Sequence, residues 1–347
     1  MTTIACPTPI AMTDRVQLGH GSGGKMSAAL VRERFLPLLR NDILAQLGDA
    51  AIVDVAGQAL AISTDTFVVQ PLEFPGGNIG SLAVHGTVND LAMMGARPCW
   101  LSAGFVLEEG LPLDVLDRVV HAMAEAANAA GVLLVAGDTK VVERGKADGI
   151  FINTTGIGLR PADFAPAPAR AQVGDAVIVS GPIGRHGIAI MTAREGLAFE
   201  AEVTSDSAAL TPLVDALRER VGDAVHAMRD PTRGGMASAL NEIATAAGVG
   251  IVLDETLLPI PGPVAAACEM LGFDPLYVAN EGLLVAFVPD AQADHTVAAL
   301  RSHPLGRAAT RIGRCVREHP GMVALSTAIG GTRVVDMLPG DQLPRIC

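Results

Sequence analysis

The sequence Gly19-His-Gly-Ser-Gly-Gly24 stands directly before residues 26–39, where apolar side chains recur at helical spacing. This pattern predicts a glycine-rich loop followed by a helix that opens the first domain. Glycines let main-chain amides approach an anion closely, and the start of a helix carries positive partial charge, so we expect the loop to contact phosphate. The loop nearly matches the GxxxxGK motif, but Met26 replaces the required Ser or Thr, and we reject that motif. A flexible entry loop without a ligand is the alternative.

Downstream of this loop, helical and β-branched stretches alternate along the chain, which is typical of mixed α/β domains. The proline-rich segment 160–170 has little periodicity and is interpreted as a semi-rigid connection between two domains. We predict an N-terminal mixed-sheet domain at 1–160, a C-terminal α/β domain at 171–335 and a flexible tail at 336–347. The predicted strands are 52–55, 59–69, 99–107, 132–135 (buried), 150–159, 176–180, 251–253, 283–288 and 310–316, and the helices after the first are 79–94, 112–130, 186–194, 208–220 and one ending at 247.

Composition and charge argue against several classes of function. The formal net charge is −12, whereas a nucleic-acid-binding protein needs a clustered positive face. The first residues lack a secretory pattern and the apolar stretches are too short to cross a bilayer, so we expect no membrane segment. The five cysteines are scattered without CxxC spacing, which favours a reducing cytoplasm over a disulfide framework.

The last residues, Pro344-Arg-Ile-Cys347, place a thiol at the end of the sequence. Two prolines and a glycine between 336 and 344 favour an extended, mobile segment that does not pack. A tail of this length reaches roughly 40 Å, so the thiol of Cys347 is a candidate reactive group that visits more than one site. We expect no prenylation at Cys347, because that modification needs three residues after the cysteine.

Four aspartates occur at predicted strand or helix ends beside small residues: Asp65, Asp90, Asp138 and Asp230. Carboxylates in such positions converge around Mg²⁺ and nucleotide phosphates, because hard cations prefer oxygen ligands. Each aspartate alone is more often a helix cap or a turn residue, so the hypothesis depends on the group.

Two basic residues and one glutamate lie in the same motifs. Lys140 and Arg233 are candidates for stabilising a transferring phosphoryl group, and ordinary surface positions are the alternative. Glu281 is a candidate general base or a residue that positions a ligand, and a turn carboxylate is equally compatible with its spacing. The histidines show no HExxH or paired arrangement, which argues against zinc.

Together these motifs resemble the HypE family of hydrogenase maturation factors. The internal motifs alone resemble the wider PurM-like superfamily of ATP-using enzymes, and the terminal Pro344-Arg-Ile-Cys347 singles out HypE. The resemblance runs from about residue 14 to the end of the sequence. Its motifs are Gly19-His-Gly-Ser-Gly-Gly24, Ser63-Thr-Asp65, Phe74-Pro-Gly-Gly-Asn-Ile-Gly80, Asn89-Asp90, Gly137-Asp-Thr-Lys-Val-Val142, Asp230-Pro-Thr-Arg-Gly-Gly235 and Asn280-Glu-Gly282.

The resemblance implies a fold, an activity and partners. The fold would be two PurM-like domains, paired as a homodimer across the N-terminal sheets. A HypF partner would load a carbamoyl group onto the sulfur of Cys347, and this chain would dehydrate it to a thiocyanate with ATP. Cyanide would then pass to iron on a HypC–HypD complex, on the way to the [NiFe] hydrogenase cofactor.

The resemblance also implies roles for single residues. Cys347 would carry the reacting group, Lys140 and Arg233 would stabilise the phosphoryl group, and Glu281 would accept a proton from nitrogen. The metal ligands would be Asp65, Asp90, Asp138 and Asp230. The residues that contact ATP would be Gly21, Ser22, Gly23, Gly24, Asp65, Asn89, Asp90 and Asp138.

Two other functions are compatible with the internal motifs. A small-molecule kinase or a selenophosphate synthetase would use the same ATP cleft without Cys347, and a synthetase would use a reactive cysteine near the glycine loop. Cys6 lies upstream of that loop and gives this alternative slight support. The second alternative is a module that binds nucleotide without turnover, with the tail as a recognition peptide.

Overall fold

A computed structural model describes residues 15–196, 203–338, 340, 343 and 345–347. Cys6 and Pro344, which entered the sequence-based interpretation, lie outside the described residues. Within the described residues, no helix is both long and apolar enough to cross a membrane.

The N-terminal domain is a mixed five-stranded sheet with helices on one face. Its strands follow the order β1-β2-β7-β5-β6, and only the β5–β6 pair is parallel. Its elements are α1 (Lys25–Leu30), a π-helical turn (Val31–Phe35), α2 (Leu36–Leu39), β1 (Ala51–Val55), β2 (Gln58–Phe67), β3 (Glu73–Phe74), β4 (Gly77–Asn78), α3 (Ile79–Met93), β5 (Arg97–Glu108), α4 (Leu113–Ala130), β6 (Leu133–Val142) and β7 (Ile150–Leu159).

The helix α3 is the centre of this domain. Asn78 caps its N-terminus, since the side-chain oxygen accepts hydrogen bonds from the amides of Gly80 and Ser81 at 2.9 and 3.1 Å. Its apolar side chains, including Leu82 and Val88, are fully buried in the same cluster as residues of the sheet and of α4. A helix buried on nearly all sides fixes the position of the polar residues near its C-terminal end.

The strand β6 differs from the prediction. We expected a short buried strand at 132–135, but β6 extends to Val142 and nearly all of it is exposed. An apolar run is typical of a buried strand, yet β6 pairs only with β5 and forms an edge of the sheet. Leu133, Val135 and Val141 are therefore 63%, 61% and 66% exposed.

The C-terminal domain is a seven-stranded mixed sheet with apolar clusters on both faces. Its strand order is β14-β13-β10-β12-β8-β11-β9. Its elements are β8 (Asp175–Val179), α5 (Arg185–Glu195), α6 (Thr211–Arg220), β9 (Ala227–Arg229), α7 (Gly235–Ala247), β10 (Gly250–Asp254), α8 (Gly262–Leu271), β11 (Val285–Pro289), α9 (Ala293–Arg301), β12 (Thr310–Val316), β13 (Val323–Ser326) and β14 (Thr332–Val334).

The chain after β14 returns to the N-terminal domain. The carbonyl oxygen of Leu338 accepts a hydrogen bond from the amide of Lys25 at 2.8 Å, and Asp336 pairs with the Lys25 ammonium group. Leu343 and Ile346 are buried among apolar side chains from both domains. The expectation that this segment cannot pack is wrong for these residues, because their apolar side chains outweigh the nearby prolines and glycine. That the tail moves between sites stays a prediction.

Candidate active site

A cleft of about 800 Å³ lies between the two domains and collects most of the predicted site residues. The N-terminal domain contributes Asp65 on β2 and Asp90 on α3. The C-terminal domain contributes the segment that follows β9 and the loop that contains Glu281. Cys347 of the tail lines the same cleft, so one cavity contains the predicted reactive thiol and the predicted acidic residues. The predicted residues that line it are Asp65, Asp90, Asp230, Arg233, Glu281 and Cys347.

Three carboxylates form the acidic centre of the cleft. Asp49, Asp90 and Asp230 each place one oxygen within 4.8 Å of the others. The hydroxyl of Ser63 donates to Asp90 at 2.6 Å, whereas Oδ2 of Asp49 and Oδ2 of Asp230 are buried without a hydrogen-bond partner among the described residues. An oxygen donor set with unpaired buried oxygens fits a hard divalent cation.

Burial makes this centre electrostatically costly. It is the main cause that raises the pKa of Asp49 to about 8, that of Asp230 to about 6, and that of Asp90 well above its ordinary value. Burial also raises the pKa of Asp65, although Arg233 and Arg229 oppose the shift. A cation among these groups would favour their ionised forms, because it supplies the missing opposite charge.

Arg229 lies largely buried behind the carboxylates and joins the domains. One guanidinium nitrogen contacts Asp49, and another lies 2.6 Å from Glu242 on α7. Burial alone would lower the pKa of Arg229, but the surrounding carboxylates outweigh it and raise the pKa. Arg229 is therefore a permanent positive charge that partly offsets the repulsion within the acidic centre.

Arg233 connects the glycine loop, Cys347 and the acidic centre. Its Nη1 donates to the carbonyl oxygen of Gly21 at 3.2 Å. Gly23 has a φ of +74°, and a Cβ there would lie 2.8 Å from Cβ of Arg233, so only glycine permits this approach. Negative charge at Cys347 is the main cause that raises the pKa of Arg233. The guanidinium group is thus positioned to meet negative charge near the tail.

Glu281 is the most buried acidic residue that lines the cleft, with 2% of its surface exposed. Burial, reinforced by Asp230 and Asp206, raises its pKa well above the ordinary value. Its own amide donates to Oδ1 of Asp206 at 3.1 Å, which fixes the loop that presents the side chain. A carboxyl group with a raised pKa is suited to exchanging protons near neutral pH.

The glycine loop lies beside the tail, and its predicted contact with phosphate stays a prediction. Gly21 and Ser22 line a neighbouring pocket beside Cys347 and Ile346. Two amides at the start of the helix already have partners: Gly23 donates to Ser27 Oγ at 2.9 Å, and Lys25 donates to Leu338. The returning chain therefore pairs with the start of α1, and the loop contacts Arg233 through the carbonyl oxygen of Gly21.

Asn89 also differs from its expected place in nucleotide contact. Its side chain donates to the carbonyl oxygen of Ala208 at 3.0 Å and accepts from the amide of Leu210 at 2.8 Å. These bonds tie α3 to the segment before α6. Asn89 is 1% exposed, so within one chain it joins the domains and is not presented to the cleft.

Asp138 and Lys140 lie outside the cleft of their own chain. They project from the exposed edge strand β6 and pair with each other at 2.6 Å, with side chains 70% and 69% exposed. The hydrogen bonds with Lys140 and Thr139 lower the pKa of Asp138. The prediction that Asp138 shares a metal site with Asp90 is therefore not met within a single chain, because the edge strand carries it away.

Sequence reasoning missed Asp49 and Arg229. Asp49 follows Gly48 and precedes β1, which is the same combination of a small residue, an aspartate and a strand that singled out the others. Arg229 adjoins Asp230 and ends β9, a strand that was not predicted. The adjacent Asp230 could have pointed to Arg229, because a buried carboxylate needs a nearby positive charge.

Both domains match models of one known family. Residues 47–160 match the AIR synthase related protein, N-terminal domain, and residues 172–324 match the C-terminal domain. The carbamoyl dehydratase HypE of Cupriavidus necator is 54% identical over 96% of this chain and 95% of that protein. The carbamoyl dehydratase HypE of Escherichia coli K12 is 47% identical over 96% of this chain and 100% of that protein.

Solved structures give the same relationship. One chain of a HypE–HypF complex superposes with a TM-score of 0.85 at 44% identity, over 89% of this chain and 100% of that chain. A HypE in complex with ATP superposes with a TM-score of 0.81 at 49% identity, over 96% of this chain and 100% of that chain. Thiamine monophosphate kinase of Aquifex aeolicus, at 18% identity and a TM-score of 0.65, shares the fold alone.

Arg229→Met tests the electrostatic account of the cleft. The change leaves Asp49 and Glu242 without their buried counter-charge, and we expect the free energy of unfolding to fall by about 3–5 kcal/mol. Chemical denaturation at neutral pH measures it. Arg118→Met is the matched control, because Arg118 pairs with Glu73 and Asp114 at the surface, and its loss should cost far less. Equal losses from both variants would contradict this account.

Proposed function

Because the chain belongs to the HypE family of carbamoyl dehydratases in hydrogenase maturation, we propose that the cleft described above is where it dehydrates a carbamoyl group on Cys347. The placement of Cys347 in one cavity with the acidic centre, Arg233 and Glu281 carries this proposal. A kinase acting on a free small molecule would not need a tail cysteine there, and a binding module would not need buried acids with raised pKa values.

The proposed reaction converts a sulfur-bound carboxamide to a thiocyanate. The amide oxygen attacks the γ-phosphorus of ATP and ADP leaves, which turns a poor leaving group into a phosphate. The C–O bond then breaks, phosphate departs, and the nitrogen loses two protons as the C≡N bond forms. One of the two protons ends on the departing phosphate and the other is released, so one carboxamide and one ATP give one thiocyanate, ADP, hydrogen phosphate and one proton.

Glu281 is the proposed acceptor for one of these protons. Its carboxyl group is buried at the cleft, and burial is what raises its affinity for a proton. Arg233 is the proposed stabiliser of the transferring phosphoryl group, because it lies between the acidic centre and the tail. Both roles agree with the sequence-based interpretation.

Asp49, Asp90 and Asp230 are the proposed ligands of Mg²⁺, with Asp65 beside them. The proximity of their oxygens and the unpaired buried oxygens of Asp49 and Asp230 support this assignment. Bound there, Mg²⁺ would neutralise charge on the nucleotide phosphates. Asp49 takes the place that the sequence-based interpretation gave to Asp138.

Lys140 and Asp138 are proposed to act in the cleft of a second copy of the chain. The strand that carries them is an exposed edge with apolar residues Leu133, Val135 and Val141, which would be buried by pairing across the N-terminal sheets. Lys140 would then supply positive charge to the partner's cleft. This homodimer reconciles the predicted role of Lys140 with its position in one chain.

The proposed partners follow the family. A solved HypE forms a complex with HypF, and we propose that HypF is the carbamoyl donor for this chain. We further propose that cyanide passes to a HypC–HypD complex and that the reaction takes place in the cytoplasm. Among the described residues, Cys99, Cys268 and Cys315 form no disulfide, which supports a reducing compartment.

Intact mass spectrometry tests the proposed reaction. The purified protein is carbamoylated with HypF, given Mg-ATP and weighed beside Cys347→Ala. We expect a carbamoyl adduct that is confined to Cys347 and that loses about one water mass when ATP is added. An adduct that ATP leaves unchanged, or one that also forms on Cys347→Ala, would contradict the proposal.

Asparagine substitutions test the metal ligands. Asp49→Asn and Asp90→Asn remove one negative charge each, and we expect ATP turnover to fall at least about tenfold, since each loss weakens the hold on Mg²⁺ by 1.4 kcal/mol or more. Acceptance of the carbamoyl group from HypF should be preserved. Asp114→Asn, an exposed aspartate on α4, is the control and should keep normal turnover. Normal Mg-ATP use by Asp49→Asn would remove it from the ligand set.

Mixing two inactive variants tests whether Lys140 acts across a dimer. Lys140→Ala keeps Cys347 and Cys347→Ala keeps Lys140, so a mixed dimer contains one complete cleft only if the lysine comes from the partner. We expect each variant alone to be inactive and the co-refolded mixture to recover thiocyanate formation. A mixture as inactive as its components would contradict action across the dimer, and full activity of Lys140→Ala alone would place Lys140 outside catalysis.

A further inference from the structure

The last three residues lie beside residues 68–70 and accept two main-chain hydrogen bonds from them. The amide of Val68 donates to the carbonyl oxygen of Cys347 at 3.1 Å, and the amide of Gln70 donates to that of Arg345 at 3.2 Å. Nε of Arg345 returns a hydrogen bond to the carbonyl oxygen of Val68 at 3.0 Å. Residues 68–70 of the N-terminal domain therefore form one side of the binding site for the tail, which is called the seat below.

His186 supplies a contact from the other domain. It lies on α5, is fully buried, and places Nε2 2.6 Å from the carbonyl oxygen of Ile346. A carbonyl only accepts, so Nε2 carries the proton, and Nδ1 accepts from the hydroxyl of Ser205 at 2.8 Å. The ring also packs edge-on against Phe74 at a centroid distance of 5.6 Å. Its tautomer and orientation are both determined by these neighbours.

Arg194 lies about two turns after His186 on the same helix and contacts both the tail and residue 70. Its Nη2 lies 2.7 Å from the carbonyl oxygen of Arg345 and 2.7 Å from that of Gln70. Nε donates to Gln70 as well, at 2.9 Å. One guanidinium group thus joins the tail to the segment that follows β2.

We propose that His186 and Arg194 are positioning residues that hold the tail by its main-chain carbonyls, so that the sulfur of Cys347 stays in the cleft during dehydration. The inference rests on the proposed function of Cys347. His186 contacts the carbonyl oxygen of residue 346, and Arg194 contacts that of residue 345. Neither of these two contacts involves the sulfur. The same seat therefore accepts the thiol, the carboxamide and the thiocyanate. The buried side chain of Ile346 and the pairing of Arg345 with Asp148 complete it.

Alkylation of Cys347 measures occupancy of the seat without HypF or ATP. We expect His186→Ala and Arg194→Ala to raise the rate of iodoacetamide labelling at Cys347 about tenfold, the effect of losing roughly 1.4 kcal/mol of hydrogen bonding. Peptide mass spectrometry reads the labelling, with the buried Cys268 and Cys315 as internal references for unfolding. Glu195→Ala, an exposed residue of the same helix, should leave the rate unchanged.

A single-turnover assay on the carbamoylated protein then connects the seat to catalysis. At saturating Mg-ATP we expect dehydration in both alanine variants to slow by a similar factor, with carbamoylation by HypF unimpaired. His186→Gln keeps a donor at similar reach and should restore much of the rate. Unchanged labelling of Cys347, faster labelling with normal dehydration, or increased labelling of Cys268 in parallel would each overturn the inference. Failure of carbamoylation at Cys347 in the unaltered protein would instead contradict the proposed function.

Discussion

The structure depends on holding several buried carboxylates together at the contact between two domains. Asp49, Asp90 and Asp230 come from both domains, and each would repel the others if ionised without compensation. Arg229 supplies part of that compensation and connects Asp49 to Glu242. The repulsion that remains is the physical basis of the cation site proposed above. The rest of the fold can be understood as a frame that keeps these groups in place.

The alternation of apolar stretches was sufficient to predict most of the fold. Periodicity located α3, β7 and β12 because each is long or flanked by clear turn residues. It was wrong about β6, since an apolar edge strand and a buried strand share the same pattern. It missed α8 and α9, whose small residues give little helical contrast, and the short strand β9, which is specified by its neighbours in the sheet.

The candidate site was predicted in part. Asp65, Asp90, Asp230, Arg233, Glu281 and Cys347 meet in one cleft, because motif residues at strand and helix ends converge when two domains pack. Asp49 and Arg229 belong to the cleft through long-range contacts that local patterns do not encode. Lys140 and Asp138 carry the family motif but face away from their own cleft. Position in a motif therefore did not indicate where these two side chains lie relative to the cleft.

The tail is placed by the side chain that precedes its thiol. Ile346 is buried in an apolar cluster that both domains share, while its neighbour Cys347 lines the cleft. Burial of the isoleucine therefore anchors the chain one residue away from the sulfur. If the two residues were exchanged, the thiol would lie in the apolar cluster, where burial disfavours the thiolate.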